Sequence, residues 1–222
     1  RNRETQVPAI LELLDIPYTG SDPATLSLTL DKALAKKVVS AAGIRTPGFF
    51  QLSTGKEKLP SKLKFPLIVK PIAEGSSKGV FQTSVVENEK ELKSLAQEII
   101  QKYRQPALVE EFLPGREFTV ALVGENRPKI FPPMEIVFSS KKGKWPVYTY
   151  QDKLDYNDTV HYQAPADIDD NLRKAIEKVA KKSFYILGCR DVARIDVRLD
   201  TKGNVHFIEC NPLPGLTPGW SD

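Results

Sequence analysis

The sequence predicts an α/β (α+β) fold, and three observations predict it. Stretches with apolar positions at helical spacing alternate with short strand-like runs along the whole chain. Turn signals rich in Gly and Pro separate them. At 222 residues with 41% hydrophobic content, the chain is long enough for one large domain or two modest ones with real cores.

Taken in order, residues 3–15 and 28–42 read as helices, the second (LTLDKALAKKVVSAA) closed by Gly43. Between them IPYTGSDP is turn-rich, and RTPG leads into short strand-like stretches. FPLIVK (65–70) and KGVFQTSV (78–85) read as strands around a glycine loop, followed by a helix at 87–103 and a strand at PALVEEFL (106–113). Pro114-Gly115 is the clearest break, with strands EFTVALV (117–123) and KIFPPMEIVF (129–138) beyond it. Residues 139–163 lack a steady period and read as a long loop, the kind that is usually functional or disordered. A helix over 169–187 then leads to RDVARIDVRLD and NVHFIECN, two strands joined by DTKG.

A net charge of +4 from 32 basic and 28 acidic residues, with no run of five or six like charges, gives no indication of nucleic-acid binding. The basic excess suits an anionic small ligand or an ordinary solvated surface. Cys189 and Cys210 form neither a disulfide framework nor a CxxC site, and His161 and His206 lie far from zinc spacing, so buried reduced thiols are expected. With no membrane-length apolar stretch and no signal peptide, a cytoplasmic setting with no membrane partner is the expectation. The opening RNRETQVPAILELLDIPYTG starts without methionine and mid-pattern, which reads as an internal cut.

Two stretches carry chemistry. In KPIAEGSSKG (70–79) a strand ends in Lys70 and opens into a loop with two glycines, two serines and a second lysine. Such a loop can hold phosphate through backbone N–H groups, hydroxyls and a lysine, or can be merely a basic turn. It is not a Walker A loop, because GxxxxGK[ST] is absent. Near the end, Arg194 and Asp196 share one strand face, as do Glu209 and Asn211 on the next strand. With Leu199 opposite Asn204, Arg194 faces Glu209 and Asp196 lies diagonal to it, within about 5–8 Å. Two carboxylates and an amide oxygen suit Mg²⁺ completed by nucleotide phosphates. The alternative is an outward-facing acidic pair matched by Arg194, Arg198 or Lys202.

The motifs IPYTGS, LDKALAK, FPLIVKP…EGSSKGV, LVEEFLPGREFTV, ARIDVRLD and E-x-N-P-x-PG-x-T-P, in that order, resemble the ATP-grasp family and within it the D-alanine–D-alanine ligases. The resemblance implies an ATP-grasp fold in which two α+β subdomains clamp the nucleotide. It divides the chain into 1–27, a remnant of an N-terminal substrate domain, 28–113, a central lid subdomain, and 114–222, a C-terminal metal and catalytic subdomain. By the same resemblance Lys32 and Lys70 contact ATP phosphates, the loop of Glu74, Ser76 and Ser77 folds over the nucleotide, and Lys153 approaches the transferred phosphoryl group. Glu110 and the backbone of Glu111 and Leu113 correspond to the adenine clamp, Glu117 to the ribose acceptor, and Phe112 and Ile208 to apolar walls. Asp196, Glu209 and Asn211 correspond to ligands of two Mg²⁺ ions, with Mn²⁺ a substitute, while Arg194, Ser76 and Gly215 take the catalytic positions. The implied partners are ATP and small amino acids, with a homodimer allowed for the full-length protein, and the implied reaction passes through an acyl phosphate.

The chain departs from that pattern at two places. Lys153 is followed by Leu154 where the family usually has tyrosine, and Trp220 stands where a serine normally falls, with Ser221 beside it. The alternatives are therefore a ligase with a different amino-acid or hydroxy-acid acceptor, or a nucleotide-binding module without turnover.

Overall fold

A computed structural model describes residues 3–75, 77–139, 143–149, 151–152 and 159–216. The chain forms two compact units, each assembled from separate segments: residues 1–46, 115–137 and 162–222 in the first, and 47–114 with 138–161 in the second. The expected linear division at residues 27 and 113 is cut differently. Residues 28–46 group with the first unit and 138–161 with the second.

In the first unit, helices α1 (Arg3–Leu13), α2 (Pro23–Leu30) and α3 (Lys32–Ala41) come first. The single helix expected over 28–42 is two helices. Pro23 opens α2 behind an Asp22 cap, and Asp31, held extended, ends α2 and caps α3 by accepting from the Leu34 N–H at 2.9 Å. The break places Lys32 at the first turn of α3.

The second unit carries β1 (Phe49–Leu52), β2 (Leu67–Pro71), β3 (Val85–Val86), α4 (Glu89–Tyr103) and β4 (Ala107–Glu111), with the sheet ordered β1-β4-β2-β3. Leu92, Ala96 and Ile99 of α4 cover the sheet face formed by Leu67, Val69, Ala107 and Val109. Because side chains alternate, Ile68, Lys70, Leu108 and Glu110 occupy the other face. The strand expected at 78–85 is instead a pair of tight turns, a single 3₁₀ turn and the short β3. Ser84 is the cause, since its hydroxyl accepts from the Phe81 N–H and competes with a strand ladder.

The remaining strands are β5 (Glu117–Val123), β6 (Lys129–Ile130), β7 (Met134–Phe138), β8 (Val160–Gln163), β9 (Val192–Leu199) and β10 (Val205–Asn211), with helix α5 (Asp170–Ile186) between β8 and β9. They form a six-stranded sheet ordered β10-β9-β5-β7-β8, with β6 also on β5. Pro132 and Pro133 split the expected 129–138 strand, because proline has no N–H for the ladder. Residues 160–163, expected to end a loop, form β8. Ala35 and Val39 of α3 and Ile176, Ala180 and Phe184 of α5 pack with Phe118, Val120, Ile195, Val197 and Phe207 in the core of this unit. The alternate positions Glu117, Thr119, Arg194, Asp196 and Arg198 lie on the sheet's opposite face. Among the described residues no helix is long and apolar enough to cross a membrane.

Candidate functional site

The hairpin of β9 and β10 sets the site, and its register differs from the expected one. Val205, not Asn204, lies opposite Leu199, because the turn is a five-residue loop with Gly203 at φ 77°. A bulge between Phe207 and Glu209 shifts the pairing once more, so Asp196 lies directly opposite Glu209 and Arg194 opposite Asn211. Phe207 and Cys210 remain in the core while Ile208 and Glu209 are both half-buried, so the bulge adds one residue between two inward positions. It is the reason that an apolar wall candidate and an acidic ligand candidate sit on the same strand face.

Asp196 is the hub of this face. It accepts from Thr119 Oγ1 at 2.7 Å, from Arg194 Nε and Nη2 at 3.0 Å each, and from Asn211 Nδ2 at 3.1 Å. The pairing of Asp196 with Arg194 is the one expected for an outward-facing acidic pair, but here the two side chains are buried. Glu209 meets Lys32, with Nζ 3.4 Å from Oε2. Among the described residues no three His, Cys, Asp or Glu side chains are grouped to hold a metal. The donors present are two opposed carboxylates and an amide, hard oxygen ligands that fit Mg²⁺ only when phosphate and water fill the rest of its shell.

Two further residues of this face were missed as functional in the sequence. Thr119 lies two residues after Glu117 on β5, and that spacing was the available signal. Arg198, opposite Glu117, donates from Nη1 to Glu117 Oε2 at 2.9 Å and from Nε to the Gly115 carbonyl at 3.2 Å. Burial pushes its guanidinium below its usual range, and Glu117 pulls it back up. Lys36, fully buried, donates to the Phe207 carbonyl at the bulge at 3.3 Å; its spacing of four from Lys32 was the clue. The Cys189 and Cys210 sulfurs lie 3.5 Å apart in the core as free thiols, and burial pushes the Cys210 thiol well up.

In the second unit Lys70 and Glu110 form a buried ion pair of 2.5 Å, diagonal across β2 and β4. The loop after β2 is fixed at its base: the Gln105 amide donates to Glu74 Oε1 at 2.8 Å and accepts the Ala73 N–H at 2.7 Å. Ser77 has φ 55° and Gly79 φ 78°, and a Cβ at Gly79 would lie 2.5 Å from Pro71 Cγ, so this glycine is required. The Glu111 N–H is engaged by the Gly48 carbonyl at 2.9 Å, and the Glu111 carboxylate takes the Gly48 N–H at 3.0 Å. Phe112 and Leu113 are buried, and Trp145 meets Phe112 edge to face with centroids 5.5 Å apart. Gly215 lies exposed beyond β10. Ser76, Lys153, Leu154, Trp220 and Ser221 lie outside the described residues.

Comparison with known proteins gives one family. The model of the D-Ala D-Ala ligase C-terminus matches residues 36–219. A D-alanine–D-alanine ligase of Aquifex aeolicus is 36% identical over 212 residues, covering 95% of this chain and 68% of the relative. One of Pelotomaculum thermopropionicum is 34% identical, covering 95% and 66%. An uncharacterized protein, y4sG, of Sinorhizobium fredii is 36% identical, covering 97% and 62%. The VanG D-Ala:D-Ser ligase of Enterococcus faecalis superposes with a TM-score of 0.82 at 29% identity, covering 98% of this chain and 63% of that one. A Bacillus anthracis D-alanine–D-alanine ligase complexed with ATP gives 0.75 at 25% identity, covering 96% and 64%. The chain thus spans about two thirds of the length of the proteins it matches.

Proposed function

The chain belongs to the D-alanine–D-alanine ligase family and has its ATP-grasp fold, and from that premise we propose that it binds Mg²⁺-ATP and serves a carboxylate–amine ligase that joins two D-alanine-like amino acids. The observation that carries the reading is the direct opposition of Asp196 and Glu209 across β9 and β10, with Arg194, Asn211 and Lys32 on the same face.

Asp196, Glu209 and the oxygen of Asn211 would hold Mg²⁺, which when bound adds positive charge at the phosphate oxygens. Arg194, which donates to Asp196 through Nε and Nη2, would supply positive charge beside the transferring phosphoryl group. Lys32, Lys70 and Lys153 neutralise phosphate charge in this reading, and Gly215 offers its backbone N–H to the reacting oxyanion. Glu110, Phe112, Leu113 and Ile208 receive the base. Because the Glu111 N–H is already used, a base reads that residue through its carbonyl. The γ-phosphoryl group passes to the carboxylate of the first amino acid with ADP leaving. The amine of the second attacks the acyl phosphate, expelling phosphate and losing a proton. The setting that supplies ATP and these amino acids is the cytoplasm.

The test is to incubate the chain with Mg²⁺-ATP and D-alanine and to measure ADP, phosphate and dipeptide by mass spectrometry. ADP in equal amount to D-alanyl-D-alanine is expected. ADP made only with another acceptor would replace D-alanine in the reading, and ATP bound without ADP release under any acceptor would reduce the chain to a binding module.

A further inference from the structure

We propose that Lys36 is a positioning residue, which fixes the bulge of β10 that turns Glu209 and Asn211 toward Asp196. The inference deepens the nucleotide reading above, and its ligand half rests on that reading.

The bulge decides which side of the sheet these residues occupy. Val205 and Phe207 point into the core, and strict alternation would send Glu209 and Asn211 after them. The extra residue at Ile208 reverses the parity, so Cys210 enters the core and Glu209 comes to lie opposite Asp196. An acidic ligand candidate faces the site only while this one-residue irregularity persists.

Helix α3 holds it in place. Lys36 is fully buried and donates from Nζ to the Phe207 carbonyl at 3.3 Å, with the same nitrogen 5.7 Å from the centroid of the Phe207 ring. The Phe207 N–H goes to the Arg45 carbonyl at 2.8 Å, just beyond α3. One turn earlier on the helix, Lys32 reaches Glu209 Oε2 at 3.4 Å. The two lysines thus grip the residues on either side of Ile208. Burying an ammonium costs more than burying an apolar side chain of similar volume, and Ala35 and Val39 already pack α3 against the core. What Lys36 adds is a charged donor for a carbonyl at the break in the ladder.

Cys210 reports the parity, because loss of the bulge turns it from the core to the site face, whereas Cys189, with its sulfur 3.5 Å away, precedes β9 and keeps its place. The experiment labels the wild-type chain, Lys36→Met and Lys36→Gln with N-ethylmaleimide, reads each cysteine by peptide mass spectrometry, and measures ATP affinity by calorimetry in Mg²⁺ and in EDTA. Loss of a hydrogen bond from a charged donor should speed Cys210 labelling in Lys36→Met about tenfold or more, with Cys189 unchanged. ATP affinity should fall about tenfold in Mg²⁺ and little in EDTA. Lys36→Gln, which keeps a neutral donor on a shorter stem, should lie between on both readings and supplies the answer if the methionine variant fails to fold. Equal acceleration of both cysteines, or of neither, in a folded variant would make Lys36 a core staple and overturn the inference. Selective labelling of Cys210 with Mg²⁺-ATP affinity unchanged overturns its link to the site. Failure of the wild type to bind ATP overturns the nucleotide reading and the ligand half of the inference, while the labelling ratio still decides whether Lys36 holds the bulge.

Discussion

Lys70 and Glu110 show what a single substitution can expose. The two side chains are buried together, with 8% and 2% of their surface exposed, so each relieves the other's desolvation. Lys70→Met takes that counter-charge from a carboxylate inside the sheet face and should destabilise the chain by about 3–5 kcal/mol in denaturant unfolding. Adding Glu110→Gln should restore most of the loss, whereas a loss under about 1 kcal/mol in the single variant would mean that the pair is not needed. A lysine and a glutamate inside apolar runs were visible in FPLIVK and PALVEEFL, and both were assigned to ligand contacts. Their contact with each other was not visible, because it depends on the β2–β4 register, which no local pattern encodes. Arg198 escaped for the same reason: its partner Glu117 is 81 residues away.

The β9–β10 hairpin is the element on which the site depends. Asp200 organises its turn, accepting from the Lys202 N–H at 2.8 Å, the Asn204 N–H at 2.9 Å and the Asn204 side chain at 2.8 Å, with His206 Nε2 at 3.2 Å. The Asn204 side chain first, then the backbone donors, hold the Asp200 carboxyl well below the usual carboxylate range. A folded-state pKa that lies below the unfolded value stabilises above the unfolded value, near pH 4, and the contribution is lost as pH falls toward the folded one. Asp200→Asn should therefore lower the melting temperature at pH 7 by roughly 3 °C, about 1 kcal/mol. The gap between variant and wild type should close as the pH is lowered from 4 toward 2. A gap that does not change over that range would remove the charge from the explanation. The hairpin itself was legible from alternation and the DTKG turn, and so was the nearness of Asp196, Glu209 and Asn211 to one another. The register was not: Asn204 joins the loop, and the bulge at Ile208 is a tertiary accommodation, with Lys36 donating to the adjacent Phe207 carbonyl from another helix.

At the scale of the molecule, the order of helices and strands was readable because most carry a clear period, as in α4, β5 and α5. Failures fell where side chains compete with backbone patterns: at Asp31, which divides a helix, at Ser84, whose turn replaces an expected strand, and at Pro132-Pro133. The assembly of each unit from separated segments has no local signal at all. The family, by contrast, was legible from six short motifs in order, and the match over residues 36–219 agrees with it. The central claim is that the two opposed carboxylates bind nucleotide through a divalent cation. Its most direct measurement is the affinity for ATP, by calorimetry in Mg²⁺ and in EDTA, of the wild-type chain and of Glu209→Gln. The account predicts that the wild type binds far more tightly in Mg²⁺ and that Glu209→Gln loses roughly tenfold or more in Mg²⁺ but little in EDTA. An equal loss in both conditions, or wild-type affinity indifferent to Mg²⁺, would contradict it.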